Sequence, residues 1–255
     1  MPLEIVTIPC LSDNYAFLAH DPDSGQTALV DAPESGPILK TLQDRGWTLS
    51  HVLLTHHHFD HVDGLPDILA AHPAQVIGGA DDAHRLPPLD IAVREGDSVT
   101  IGGETGQVID VSGHTVGHIA FHFPGAQAVF TADSLMALGC GRVFEGTMQQ
   151  MWSSLSKLAA LPPETVVFSG HEYTAANAKF ALTIDPDNPD LISRVADITA
   201  ARASDRPTVP SVLALELATN PFLRASDPAI RAHPNMADAE DAAVFAEIRA
   251  RKDRF

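Results

Sequence analysis

Cysteine is nearly absent: Cys10 and Cys140 are the only two in 255 residues, too few for a disulfide-stapled fold. No apolar stretch approaches the ~20 residues that cross a bilayer. The opening Met1-Pro2-Leu3-Glu4-Ile5 lacks the basic-then-apolar order of a secretory leader. Basic residues are scarce as well: 16 Lys and Arg face 33 Asp and Glu, a formal net charge of −17. Nucleic-acid surfaces gather Lys and Arg because counterion release provides much of their affinity, so a nucleic-acid partner is not expected. Internal repeats and extended low-complexity segments are missing too. What remains, with 45% hydrophobic residues, suits a globular chain with a sizeable core. It is long enough for one large α/β domain, or one domain with a small appendage. A cytoplasmic location, a small-molecule partner and a monomer are the starting expectations.

Histidine, by contrast, is concentrated. The run Thr55-His56-His57-His58-Phe59-Asp60-His61 follows the apolar Val52-Leu53-Leu54 and packs five metal-capable side chains into seven residues. Imidazoles and carboxylates are donors that divalent transition metals accept. A surface histidine tract would sit at a terminus or among low-complexity flanks, and this segment has neither. On an extended backbone His56 and His58 point to the same side and His57 to the other. Asp60 and His61 fall where the chain should turn, ahead of Val62-Asp63-Gly64. Further donors close other apolar runs: His114 in Val111-Ser112-Gly113-His114-Thr115-Val116-Gly117-His118, Asp133 after Ala128–Ala132, and His171 after Val166–Gly170. A carboxylate such as Asp133 has two usable oxygens and can bridge two ions. Five histidines (56, 58, 61, 114, 171) and two aspartates (60, 133) would make a dinuclear site with positions open for water. His118 could hydrogen-bond nearby, with a structural role favoured. His20, His51, His72, His84, His122 and His233 carry no spacing signal.

The patterns THxHxDH, SGHTxGH, the strand-terminal Ala132-Asp133 and the strand-terminal Ser169-Gly170-His171 together resemble the metallo-β-lactamase superfamily, in the same order along roughly residues 3 to 172. Downstream, Gly139-Cys140-Gly141-Arg142-Val143-Phe144-Glu145-Gly146-Thr147 and Gly170-His171-Glu172-Tyr173-Thr174 resemble glyoxalase II, the hydroxyacylglutathione hydrolases. So do Asn220-Pro221-Phe222-Leu223-Arg224 and Arg249-Ala250-Arg251-Lys252-Asp253-Arg254-Phe255. The resemblance implies an α+β fold: an αββα sandwich over residues 1–172, and a C-terminal all-helical domain over 173–255 that binds substrate. The strand and helix pattern agrees in outline. Short β-prone runs lie at Ile5–Ile8, Ala28–Asp31, Val99–Ile101 and Ile119–Phe123. Helical patterns lie at 36–45, 65–71 and 149–161, then at 175–184, 190–203, 212–217 and 237–252.

The same resemblance implies that His56, His58 and His114 hold one metal ion and Asp60, His61 and His171 a second, with Asp133 bridging. Zinc is the first expectation, and iron and manganese accept the same mixed donors. Bound metal lowers the pKa of water from 15.7 toward ~7, and the bridging hydroxide would attack the thioester carbonyl of S-D-lactoylglutathione, releasing glutathione and D-lactate in the second step of methylglyoxal removal. The leaving thiol has a pKa near ~8.5 and departs with little help from an acid. Asp60 could instead orient the water as a base; the resemblance implies ligation. Arg142, Tyr173, Arg249 and Lys252 match glutathione contacts, the last two a carboxylate clamp expected to stay partly exposed. Phe144 stands where the family often has tyrosine, so that hydroxyl contact is missing. Cys140 is expected to be a small side chain in a tight loop, not a nucleophile. Alternatives are another hydrolase of the same fold (a different thioester, a lactone or a β-lactam), a persulfide dioxygenase with one iron, and a non-catalytic metal-binding module.

Overall fold

A computed structural model describes residues 2–232 and 235–255; His233 lies outside the described residues. The chain forms two compact units, residues 1–110 with 116–131, and residues 111–115 with 132–255.

In the first unit, strands β1 (Glu4–Cys10), β2 (Asn14–His20), β3 (Thr27–Val30), β4 (His51–Leu54), β5 (Gln75–Gly79) and β6 (Ile91–Val93) form a six-stranded sheet in that order. The first three run antiparallel. From β3 onward the pairing is parallel, with Leu29 opposite Val52 and Val52 opposite Val76. Parallel pairing needs crossovers, and helices α1 (Ser35–Arg45) and α3 (Leu65–Ala71) provide two of them. Their apolar stripes, Ile38 and Leu42 on α1 and Leu65 and Ile68 on α3, bury against Leu18, Leu29, Val52, Leu54 and Val76. All seven residues of β2 are buried, as expected of a strand covered on both faces. Strands β7 (Ser98–Ile101), β8 (Glu104–Asp110), β9 (Ile119–Phe123) and β10 (Ala128–Ala132) form an antiparallel ladder. Phe130 on β10 meets Phe17 on β2 at 5.7 Å between ring centroids, so sheet packs on sheet in this unit.

The expected turn at Asp60 and His61 is a four-residue helix, α2 (Phe59–Val62). Its closing bonds, His61 N to His58 O at 2.9 Å and Asp63 N to Phe59 O at 2.9 Å, need no apolar periodicity, so pattern reading does not detect it.

The loop after β2 is tied to the β7–β8 turn through Asp21, whose carboxylate accepts Ser24 Oγ at 2.7 Å and Gly103 N at 2.9 Å. The Ser24 hydroxyl first, and then the Gly103 amide, hold this carboxyl down to about 2 from its ordinary 3.8. A depressed folded-state pKa stabilises the fold above the unfolded value, and the contribution disappears as pH falls through the folded one. Asp21→Asn is therefore expected to destabilise near neutral pH, with the gap from wild type closing between pH 3.8 and about 2. Urea unfolding at a series of pH values checks this, and a gap independent of pH would refute it.

The second unit carries the hairpin β11 (Leu135–Met136) and β12 (Gly139–Cys140), then α4 (Met148–Ala159), β13 (Val166–Ser169), α5 (Thr174–Ile184), α6 (Pro189–Arg202), β14 (Ser211–Val212), α7 (Leu213–Thr219), α8 (Pro228–Ala232) and α9 (Asp241–Arg254). Thr147 and Gln150 close a capping box at the start of α4, and Met151, Ser154, Leu155 and Leu158 bury one face at helical spacing. Trp152 packs on Phe245 of α9 at 5.9 Å, and Phe245 on Phe222 at 6.1 Å. The C-terminal region is helical apart from β14, where Ser211 and Val212 pair with Val167 and Val166; the helix expected from 212 accordingly starts one residue later. The last helix begins at Asp241 and not at 237, because Glu240 is extended (φ −63°, ψ 147°) and acts as its cap.

Candidate metal centre

The loop after β4 delivers four of the expected ligands within the first unit. The His56 ring lies 4.8 Å from that of His58 and 4.2 Å from that of His61, and His61 Nε2 lies 3.9 Å from Asp60 Oδ2. His56 and His61 are fully buried. His57 points away, as strand alternation predicts, and reaches Asp82 at 2.8 Å. His118 stacks on His56 at 4.5 Å and 11°, a supporting role rather than a donor. Asn14 Nδ2 donates to both Asp60 O and Asp60 Oδ2 at 3.0 Å, fixing that carboxylate from β2.

Asp31 is the residue that the sequence reading missed. Its backbone is left-handed (φ 56°) just beyond β3. Oδ1 accepts Thr55 N at 2.9 Å, while Oδ2 takes Thr55 Oγ1 at 2.8 Å and lies 2.8 Å from His61 Nδ1. The signal that marks Asp133, a carboxylate closing an apolar run, is present at Asp31 too. Its pairing with Thr55 and His61 follows from the β3–β4 register, which local pattern does not contain.

The other three donors come together in the second unit. Asp133 Oδ2 lies 3.4 Å from His114 Nε2 and 3.3 Å from His171 Nε2. His114 Nδ1 faces Arg142 O at 2.7 Å; a carbonyl can only accept, so Nδ1 carries the proton and Nε2 the lone pair. Asp31 imposes the same tautomer on His61. Metal-binding histidines characteristically use their second nitrogen this way, so the donor set fits a divalent cation. Gly141 is required here: a Cβ on it would lie 1.9 Å from Asp133 O and 3.1 Å from His114 Nδ1. Glu172 accepts Thr208 N at 2.8 Å and anchors the segment after His171.

Among the expected substrate contacts, Tyr173 is half-exposed and stacks on His171 at 4.6 Å and 7°. Phe144 is exposed, 5.3 Å from the His114 ring, with the Arg142 guanidinium 5.8 Å from its own ring. Arg249 is not partly exposed as expected but buried, at 5%. It donates to Cys140 O at 2.9 Å and to Asp253 Oδ1 at 3.0 Å, and lies over Phe222 at 5.2 Å. Lys252 keeps more exposure, with Nζ 3.3 Å from Ala176 O; burial, and then Arg249, lower its pKa. Burial pushes the Cys140 thiol up to about 11 although Arg249 opposes it, which keeps it protonated and a poor nucleophile.

The sequence profile of the metallo-β-lactamase superfamily matches residues 13–171, and that of the hydroxyacylglutathione hydrolase C-terminus matches residues 172–255. A hydroxyacylglutathione hydrolase of Roseobacter denitrificans is 71% identical over 255 residues, covering 100% of both chains. The chain belongs to the hydroxyacylglutathione hydrolase family. Its fold is that of the metallo-β-lactamases. The crystal structure of BLEG-1, a B3 metallo-β-lactamase, superposes with a TM-score of 0.68 at 20% identity, covering 86% of this chain and 99% of that one. TTHA1623 in a di-iron-bound form gives 0.62 at 27% identity, with 86% and 100% covered. For a hydroxyacylglutathione hydrolase, the histidine and aspartate clusters are the expected divalent-metal donors. No helix among the described residues is long and apolar enough to cross a membrane.

Proposed function

We propose that this chain is a cytoplasmic enzyme that hydrolyses S-2-hydroxyacylglutathione thioesters, converting S-D-lactoylglutathione and water to glutathione and D-lactate in the second step of methylglyoxal detoxification. The full-length 71% likeness to a hydroxyacylglutathione hydrolase carries this reading. His56, His58 and His114 would hold one divalent ion and Asp60, His61 and His171 another, with Asp133 shared; zinc is favoured, and iron or manganese suits the same donors. When bound, such ions activate water at neutral pH and polarise the carbonyl under attack.

The remaining work falls to the chain itself. Asp31 and the Arg142 carbonyl hold His61 and His114 in the tautomer that presents Nε2. Asn14 keeps Asp60 oriented. The neutral Cys140 leaves the chemistry to water. A thiolate leaving group needs no dedicated proton donor, and none is called for. Residues 1–172 would carry catalysis and 173–255, with Arg142, Phe144 and Tyr173, the glutathione contacts. Assays of thiol release from S-D-lactoylglutathione, beside a β-lactam and glutathione persulfide, test the reading. Turnover of the first alone supports it, and turnover of either other substrate with none of the thioester refutes it.

The carboxylate clamp is best tested at Lys252, because Arg249 also supports the fold through Cys140 and Asp253. A charge-assisted contact is worth about 1.5–3 kcal/mol, or roughly tenfold and more in affinity. It exists in ground and transition states alike, so Lys252→Ala should raise KM about tenfold with kcat nearly unchanged. An equal loss on a thioester lacking the glycine carboxylate would show that Lys252 merely stabilises α9.

A further inference from the structure

The imidazole between two of the proposed ligands is itself anchored. His57 Nδ1 lies 2.8 Å from Asp82 Oδ2, and the Asp82 side chain is fully buried whereas that of His57 keeps 18% exposure. The other carboxylate oxygen of Asp82 accepts Arg85 Nε at 2.6 Å and Nη2 at 2.5 Å. A buried carboxylate is unfavourable unless both oxygens are engaged. Here the guanidinium occupies Oδ1, which leaves Oδ2 to His57.

Asp82 also meets a second segment. A Cβ added to Gly117 would lie 2.4 Å from Asp82 Cβ and 2.7 Å from its Cγ, so the backbone at Gly117 rests against this side chain. The next residue is His118, whose ring stacks on His56. Just beyond it, Ile119 N donates to Thr55 O at 3.0 Å. Asp82 therefore touches the loop bearing His56 and His58 through His57, and the strand start that flanks His56 through Gly117. It belongs to a one-turn helix after β5, Ala80–Asp82, and lies outside the sequence motifs that identified the metal donors.

We propose that Asp82 is a positioning residue for metal capture. With its Oδ1 engaged by Arg85, it holds His57 through Oδ2 and thereby the backbone from which His56 and His58 project. This rests on reading those two histidines as ligands. The alternation that turns His57 away from the metal turns it toward Asp82, so the third histidine of the run serves as the rear anchor of the loop.

The test is competition between metal-free protein and a chromophoric chelator for Zn²⁺, with the visible spectrum of the Co²⁺-substituted protein as a second readout. Asp82→Ala should weaken zinc affinity by about 10- to 100-fold, the range for residues that orient metal ligands, and should alter the Co²⁺ bands. Asp82→Asn leaves a single acceptor oxygen for which Arg85 and His57 compete, so it should recover only part of the affinity. His57→Ala should match Asp82→Ala, and the double variant should lose no more than either alone, because both act through one bond. Circular dichroism of each metal-free variant confirms that it is folded. Wild-type zinc affinity in Asp82→Ala overturns the proposal, as do fully additive losses in the double variant. Lowered thermal stability with zinc affinity and the Co²⁺ spectrum unchanged also overturns it, since that describes a purely structural carboxylate. Failure of the wild type itself to bind Zn²⁺ overturns the ligand reading, and this proposal with it.

Discussion

Asp133→Ala is expected to lower kcat/KM for S-D-lactoylglutathione by about a thousandfold or more, and metal content should fall with it. Metal ions contribute several kcal/mol to such hydrolyses, and each ~1.36 kcal/mol is a factor of ten in rate. Asp133 is buried at 6% exposure, and one of its oxygens lies 3.4 Å from His114 Nε2 and 3.3 Å from His171 Nε2. A carboxylate placed against two imidazole nitrogens, of which that of His114 presents its lone pair, makes structural sense if a cation lies among them. Replacement by Ala removes a negative donor that nothing else in the segment can supply, since Ala132 and Ser134 on either side offer no charge. Elemental analysis and steady-state kinetics on the same sample check both halves. Turnover near wild type, or full metal content with turnover abolished, would refute the shared-ligand role.

Glu216→Ala is expected to be the most destabilising single change away from the metal donors, at about 3–5 kcal/mol. Glu216 is fully buried and Arg194 nearly so, at 6%. They form an ion pair in which Arg194 also donates to Thr219 Oγ1 at 2.7 Å. The second oxygen of Glu216 accepts Leu138 N at 2.9 Å and Asn220 Nδ2 at 3.1 Å. Asn220 in turn donates to Met136 O and Gly139 O at 3.1 and 3.0 Å. The β11–β12 hairpin, which lies between Asp133 and the Arg142 loop, is thus held to α7 by this carboxylate together with Asn220. Its removal strands the Arg194 cation and the Leu138 amide in the interior. The paired change Arg194→Met with Glu216→Leu removes both charges and should cost much less. Urea unfolding in a Trp47→Phe background isolates the signal of Trp152, which lies in the same unit as the network. A loss below about 1 kcal/mol, typical of a solvent-screened pair, would refute this account.

Much of the metal centre is legible in the sequence because its ligand geometry is local. Alternation along an extended backbone decides that His56 and His58 share a side and that His57 does not. Asp133 and His171 are recognisable as side chains that end apolar runs. Most strand and helix identities follow from the same short-range patterns, and the misreadings fall on short elements and on ends: the one-turn helix at Asp60, the five-residue α8, the two-residue β14 and the late start of α9.

What tertiary structure decides is how those donors are prepared. The parallel register of β3 and β4 carries Asp31 to Thr55 and His61, residues 24 and 30 positions away. The same kind of long-range closure puts the Arg142 carbonyl on His114, 28 positions away, and Asp82 on His57, 25 positions away. It also buries Arg249, whose helical periodicity alone is compatible with either a solvent-facing clamp or a structural brace. Residue type and spacing by themselves picked out the histidines and aspartates that are candidates for metal binding in this protein, Asp31 excepted. Which nitrogen each histidine presents was left to tertiary structure, because a tautomer is set by the acceptor that faces the ring, and folding brings that acceptor from a distant part of the chain.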